Sequence, residues 1–306
     1  MKSFDVAIAG DINLDLILYG LPQEIPVERE LLADRFCMTL GGSAAITAHN
    51  LAALKCRVSM IGKIGQDALG RDALQRLIDR GVDTSRCIQG DPASQTGITV
   101  LLPHGHVRHI VTYTGTIAEL TVDDLDIDYI VQAKHFHISS FFLQQKLQKG
   151  LPEFCRVLRS RGITVSLDTN DDPEDRWGEN LTAMFPAIDV LLPNEDEAKR
   201  MAHNEDLNEA IRWLAKQVPI VVMKRGTKGA IVQAGERRWE VPTKIVTPVD
   251  TIGAGDSFNA GFLSKFIQSE PLDICTQAGN AAAALSTLRA GGTESFRDEA
   301  LLATMS

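Results

Sequence analysis

No apolar run in the chain approaches the roughly 20 residues that a membrane span needs, so the sequence offers no spanning helix. Cysteine is sparse and badly placed for structural chemistry. The five residues at 37, 56, 87, 155 and 275 are odd in number and show no CxxC or Cys/His spacing, which argues against a disulfide scaffold or a zinc ribbon. Basic residues are in deficit: 31 Lys+Arg stand against 40 Asp+Glu, a formal net charge of −9. An acidic surface argues against wrapping nucleic acid, whose phosphates attract dense Lys and Arg, but it leaves room for a local basic pocket for a small anion. Low-complexity segments and internal repeats are missing as well. With 44% hydrophobic and 23% charged residues, the composition is neither that of a disordered chain nor that of a fibre. The opening MKSFDVAIAGD sets Asp5 and Asp11 around a short apolar stretch and reads as a first strand, not as a signal peptide. The expectation is a soluble, cytoplasmic protein with no membrane or nucleic-acid partner.

What the chain does contain is alternation. Short β-branched runs at Val6–Ala9, 57–61, His135–Ile138, 163–168, 190–192, Ile220–Lys224 and 230–233 are separated by amphipathic stretches. In 68–80, for example, Leu69, Ala73, Leu74, Leu77 and Ile78 repeat at helical spacing. Apolar strands separated by helices predict a parallel sheet covered on both faces. Two helices are expected near the end, over 257–268, with Phe258, Phe262 and Phe266 four apart, and over 272–289, stopped by Gly291-Gly292. Two segments do not fit. Residues 16–40 lack a clean helical period, and 96–114 alternate like an antiparallel hairpin turning at 103–106. They are expected to pair as a small β lid, so 1–15, 41–95 and 115–306 form an α/β core and 16–40 and 96–114 the lid.

The strongest chemical signal is Asp250-Thr-Ile-Gly-Ala-Gly-Asp-Ser-Phe-Asn-Ala-Gly-Phe262. Gly253, Ala254 and Gly255 let a ligand approach the backbone closely where the unpaired N–H groups of a helix start point at an anion. Asp256 could be an ordinary helix-start acid. A carboxylate beside an anion cradle has a chemical use too: taking a proton from a hydroxyl while the cradle holds a transferring phosphoryl group. Competing nucleotide motifs are absent. Gly62-Lys63 is followed by Ile64, so there is no P-loop, and the first strand runs into Gly10-Asp11-Ile12-Asn13, not GxGxxG.

Asp250–Phe262 resembles the C-terminal signature of the ribokinase, or PfkB, family of sugar and nucleoside kinases. Other pieces follow in the family's order: Gly10-Asp-Ile-Asn-Leu-Asp15, Gly41-Gly42, Gly62-Lys-Ile-Gly-Gln-Asp67, Asn194-Glu-Asp-Glu197 and Lys224-Arg-Gly-Thr-Lys-Gly229. The resemblance implies a ribokinase-like three-layer α/β sandwich with a mostly parallel central sheet and a β lid. It implies ATP and Mg²⁺ as cofactors and a small sugar or nucleoside as substrate. By position, Asp256 matches the general base and Gly253, Ala254 and Gly255 the anion hole. Asn194 and Glu197 match the element that organises Mg²⁺ through water, although as residues alone they read as a helix cap. Lys224, Gly226, Gly229 and Asn280 match the nucleotide site, with Asn280 equally readable as a plain helix-face residue. Asn13, Asp15, Gly41 and Gly42 match the sugar site, where a carboxylate accepts hydroxyl donors. Asp250 and the loop after Gly292 match a monovalent-cation (K⁺) site.

Two positions depart from the family pattern. Ile46 stands where an Asn commonly hydrogen-bonds the sugar, and Ser43 replaces the Lys of members with phosphorylated substrates. An unphosphorylated sugar is therefore expected, with a nucleoside kinase and a non-catalytic sensor as alternatives. Arg108 on the hairpin is the basic residue that bears on this, or else a solvated edge-strand charge. His104, His106 and His109 near the turn, and His135 and His137 on one strand, lack supporting ligand spacing for a metal. Phe141 and Phe142 read as core or as a wall for an apolar base. Exposed lid edges suggest a homodimer through the lid.

Overall fold

The computed structural model describes residues 2–104 and 107–305. Its strands are β1 (Val6–Ala9), β2 (Asn13–Tyr19), β3 (Arg35–Gly41), β4 (Val58–Ile61), β5 (Lys63–Ile64), β6 (Ile88–Gln89) and β7 (Gly97–His104) in the first third. Then come β8 (Val107–Tyr113), β9 (His135–Ile138), β10 (Thr164–Leu167), β11 (Val190–Leu191), β12 (Ile220–Lys224), β13 (Ala230–Ala234) and β14 (Arg237–Val241). Eight of them form one sheet in the order β14-β13-β12-β11-β10-β9-β1-β4. From β4 to β12 every pairing is parallel, while β13 and β14 are added antiparallel at one edge.

The residues of β1 explain why the sheet is covered on both faces. Val6 and Ile8 point into one apolar cluster, Ala7 and Ala9 into the other, and all four are fully buried. On the first side pack the helices Ser43–Ala53, Ala68–Asp79, Ala254–Phe266 and Leu272–Ser286. On the second pack Leu151–Ser160, Glu195–Ala202 and Leu207–Ala215. The last pair on the first side sit unusually close: a Cβ at Gly261 would lie 2.3 Å from the Ala278 carbonyl oxygen. That closeness fixes the axis along which Ala254–Phe266 enters the cleft.

A second sheet, β3-β2-β7-β8, stands apart. Its β7–β8 hairpin is the expected one; of the turn expected at 103–106, Gly105 and His106 lie outside the described residues. The first two lid strands overrun the expected 16–40: β2 starts at Asn13, three residues before 16, and β3 runs through Gly41, one residue past 40. Strand alternation gives this sheet two unlike faces. Asn13, Asp15, Thr99, Leu101, Arg108, Ile110 and Thr112 line the main cleft. On the opposite face Phe36, Met38, Val111 and Tyr113 are exposed. β14 was not expected from sequence; its Arg-Arg-Trp-Glu-Val run is a charged edge strand with little apolar pattern. No helix among the described residues is long and apolar enough to cross a membrane.

Candidate active site

The helix Ala254–Phe266 begins three residues earlier than its apolar pattern suggests, so the small residues form its first turn. Gly253 is the cap, in the left-handed region at φ 69°, and a Cβ there would come within 2.4 Å of the Gly292 Cα. Only glycine is tolerated at both counts. First-turn amides have no intrahelical acceptor, and Gly253, Ala254, Gly255 and Asp256 border a cleft of about 1570 Å³, the Ala254 N–H donating to the Thr251 carbonyl at 3.3 Å. The cleft opens at the C-terminal ends of the parallel strands, where α/β sheets bind ligands.

Asp256 is 7% exposed. Burial, then the charge of Asp168, push its carboxyl up to about 7, against the opposing pull of Lys224 and a hydrogen bond from Ser43. The Lys224 ammonium lies 3.5 Å from where a Gly255 Cβ would stand and 2.6 Å from Asp168 Oδ2. Asn259 Nδ2 donates to the same oxygen at 2.5 Å. Those partners outweigh burial and hold Asp168 below the usual carboxylate range, while Asp168 and Glu197 hold Lys224 protonated against its own burial. Glu197 forms a full capping box with Asn194, accepting from its backbone N–H at 2.8 Å and its side chain at 2.6 Å. Burial and the nearby Asp168 push Glu197 up to about 7.

The other arm of the cleft is a hydrogen-bonded ring that joins three strand ends to one helix. Asp11 accepts from the backbone N–H groups of Ser43 and Ala44 at 3.0 and 2.9 Å and from the Ser140 hydroxyl at 2.9 Å. The Ser140 N–H donates to Asn170 Oδ1, and Asn170 Nδ2 donates to Ser43 Oγ, each at 2.9 Å. Ser140 and Asn170 both sit at φ 54°, a strained backbone held by this ring. Above it, Asn13 Nδ2 donates to Asp15 Oδ1 and Thr99 Oγ1 at 3.2 Å. Burial, followed by the charges of Asp256 and Asp11, pushes Asp15 up to about 7. A Cβ at Gly41 would fall 2.1 Å from Asp15 Oδ1, so this glycine makes room for the carboxylate and does not itself line the cleft.

Most sequence-chosen residues converge here. Asn13, Asp15, Gly42, Asn194, Glu197, Lys224, Gly226, Gly229, Gly253, Ala254, Gly255, Asp256 and Asn280 all line the one cleft. Asn280 is not an idle helix-face residue: its amide donates to the Val241 and Pro242 carbonyls at 3.0 and 3.2 Å and ties the exit of β14 to the cleft wall. Arg108 is likewise no outward edge charge. It lies on the inner face of the hairpin and donates to Thr251 Oγ1 at 3.1 Å. The phenylalanine pair divides, Phe142 lining the cleft and Phe141 fully buried in the core.

Asp250 stands outside the cleft and is already engaged. Tyr19 Oη donates to its Oδ2 at 2.5 Å, the Gly291 N–H to the same oxygen at 3.1 Å, and the Ile252 N–H to Oδ1 at 3.0 Å. These three donors take up three of its roughly four acceptor sites. His135 and His137 are buried in a chain of hydroxyls with Thr164, Ser166 and Ser139. Burial holds them down to about 3 and 4, so they stay neutral. Sequence reasoning missed Asp11, Ser140, Asp168, Asn170 and Asn259. Asp11 and Asn259 lay inside the quoted motifs Gly10–Asp15 and Asp250–Phe262 without being singled out, and Asp168-Thr-Asn170 left a local trace as turn-forming residues directly at a strand end.

The donor set fits a nucleotide with Mg²⁺. Glu197 lines the cleft with a hard carboxylate beside a helix start suited to phosphate, while Asp168, 1% exposed, is engaged with Lys224. Among the described residues no three His, Cys, Asp or Glu side chains gather as a metal cluster. Magnesium is commonly held by one or two carboxylates, with phosphate oxygens and waters completing its shell, so such a cluster is not needed.

The chain matches the family described as pfkB family carbohydrate kinase over residues 3–299. It is 30% identical over 310 residues to the ATP-dependent ribose-1-phosphate kinase of Halopiger xanaduensis, with 98% of each chain covered. The crystal structure of adenosine kinase from Sinorhizobium meliloti superposes with a TM-score of 0.86 at 24% identity, covering 99% of this chain and 100% of that one. The structure of Arabidopsis thaliana ribokinase complexed with ribose and ATP gives 0.83 at 23% identity, covering 99% of both. These likenesses show the ribokinase-like fold, and the family match excludes the sensor reading: this chain belongs to the pfkB family of carbohydrate kinases, phosphotransferases that act on a hydroxyl.

Proposed function

We propose that the chain transfers the γ-phosphoryl group of Mg·ATP to a hydroxyl of a small sugar. The observation that carries this is the position of Asp256, a carboxyl pushed to about 7 that feels Asp168 and Lys224 from one arm of the cleft and Ser43 and Asp11 from the other. Bound Mg·ATP would supply the phosphoryl group and part of its charge neutralisation. The chain's own part is to hold, shield and deprotonate. Asn194, Glu197, Lys224, Gly226, Gly229 and Asn280 take the nucleotide side, and Asn13, Asp15 and Gly42 take the sugar hydroxyls. The sheet β3-β2-β7-β8 acts as a lid that excludes water, which would otherwise compete as acceptor. Asp256 takes the acceptor proton while the Gly253–Asp256 amides face the developing charge.

A nucleoside is the second reading. Ile46, Leu101, Ile110, Phe142 and Leu143 give the substrate arm an apolar wall that a bare sugar does not need. The test is ADP release across free sugars, sugar acids, sugar phosphates and nucleosides, in potassium and in sodium salts. Turnover on free sugars is expected, and a higher rate in potassium than in sodium would support the cation site at Asp250 that the family resemblance implies. Turnover on nucleosides alone would favour the second reading, and turnover on neither class, with ATP still bound, would overturn both.

The exposed outer face of the lid, carrying Phe36 and Val111 at 69% and 62% exposure, supports a homodimer through that sheet. Light scattering is expected to report twice the 33.4 kDa chain mass. A Phe36→Asp, Val111→Asp variant is expected to be monomeric, and a wild-type monomer would sink the idea.

A further inference from the structure

A separate cavity of about 180 Å³ lies behind the catalytic helix, lined by His49, Arg76, Asp79, Arg80, Thr293 and Arg297. It is too small for a nucleoside, since drug-sized ligands occupy roughly 300 Å³ or more. Its lining sets three guanidiniums against one carboxylate in a protein whose net charge is −9. The arginines do have outer partners. Arg76 meets Asp72 and Glu294, Arg80 meets Glu299 at 3.4 Å, and Arg297 meets Glu294 at 3.6 Å. Yet Nε and Nη2 of Arg80 are fully buried and have no hydrogen-bond partner among the described residues. Buried guanidinium donors left unpaired are costly, and a turn of the Arg80 side chain towards the cavity would let an oxyanion there accept from them bidentately.

The hydrogen bonding of His49 narrows the ligand further. Asn50 Nδ2 donates to the Gly292 carbonyl at 3.0 Å, and a carbonyl can only accept, so the orientation of this amide is settled. Asn50 Oδ1 then faces His49 Nδ1 at 2.9 Å and must accept its proton. Burial, and then Arg80, Arg297 and Arg76, hold His49 down to about 4 against the hydrogen bond of Asn50, so the ring is neutral. Its Nε2 is therefore a bare acceptor, without a partner among the described residues, on a side chain that is 2% exposed and borders the cavity. The cavity thus presents guanidinium donors together with one imidazole acceptor.

The geometry points to a binding site for hydrogen phosphate, an oxyanion that offers acceptor oxygens to the arginines and one O–H to His49 Nε2. Sulfate and fully ionised phosphomonoesters match the arginines but have no proton for the histidine. The site is distinct from the cleft, although it touches the same framework: Thr293 follows Gly292, whose backbone abuts Gly253, and Asn50 links Gly292 to Ser257.

The test is titration calorimetry with inorganic phosphate at pH 8, sulfate and ribose 5-phosphate as parallel arms, and sodium chloride at matched ionic strength as background. Saturating Mg·AMP-PNP covers the Gly253–Asp256 amides. Phosphate is expected to bind at one saturable site, about tenfold or more tighter than sulfate, with Arg297→Gln and Arg80→Gln each weakening it about tenfold, the worth of one charge-assisted hydrogen bond. Arg297 is half exposed, so its variant should fold normally whatever Arg80→Gln does. Binding no stronger than the chloride background, equal binding of sulfate, tighter binding of ribose 5-phosphate, or unchanged affinity in Arg297→Gln would each overturn the assignment. Because the readout is phosphate affinity and not ADP release, a failed kinase assignment would leave this result standing, and the reverse.

Discussion

Asp256→Asn is expected to lower kcat by at least ~100-fold, the usual contribution of a general base, with little change in the KM for ATP. The amide is isosteric, leaves the helix start intact and keeps the Gly253–Asp256 amides in place. What it removes is the capacity to accept a proton. The pH dependence separates this loss from a packing defect. Burial and Asp168 bring the wild-type carboxyl to about 7, so the free enzyme holds the base protonated at pH 6 and ionised at pH 8. Turnover at low substrate should rise with pH through about 7, and in Asp256→Asn that limb should vanish, leaving a low, flat profile. Steady-state ADP release from pH 5.5 to 9 measures both. A variant within threefold of wild type would remove Asp256 from the base role.

The parts of this site that were legible in the sequence share one property: they are local. Gly253, Ala254, Gly255 and Asp256 are contiguous, and the conformational demand at Gly253 and the amides of the first turn follow from four adjacent residues. The Asn194–Glu197 box spans four residues and announces itself as a cap. The parallel sheet covered on both faces was likewise readable, because buried strands such as β1 and β12 are apolar on both faces. Asp168 was not legible, because its partners Lys224 and Asn259 lie 56 and 91 residues away, and only the fold brings them to one oxygen. Arg108 was left open between the substrate and solvent for a related reason. Whether it faces solvent or substrate depends on which face of the hairpin packs against the core, and a strand whose residues are nearly all exposed carries no signal of that choice. Strand β14 shows the same limit at the other edge of the main sheet.

Lys224→Met is expected to destabilise the protein by about 3–5 kcal/mol, the range for removing one partner of a buried ion pair. Met replaces the aliphatic stem and thioether volume well enough that the main loss is charge. In its absence Asp168, which is 1% exposed, keeps only Asn259 and a backbone amide as donors, and Glu197 and Asp256 lose the one cation between them. With Lys224 gone, only the Asn259 and Asn170 hydrogen bonds oppose the burial that raises Asp168, the largest cause acting on it, so its folded value should climb above its unfolded one. The added instability is then least at low pH and grows as pH rises, because ionised Asp168 is tolerated in the unfolded chain but not in the core. The same lysine lowers Asp256 in the intact site, so the alkaline shift of the pH–rate limb is a second readout. Denaturant midpoints and pH–rate profiles of Lys224→Met, Asp168→Asn and the double variant test the coupling directly. Asp168→Asn should restore much of the stability lost in Lys224→Met, since it removes the carboxylate that the lysine neutralises. Strictly additive losses in the double variant would mean that the 2.6 Å contact between Lys224 and Asp168 does not couple the two residues, and that the charge at Asp256 is set by other groups.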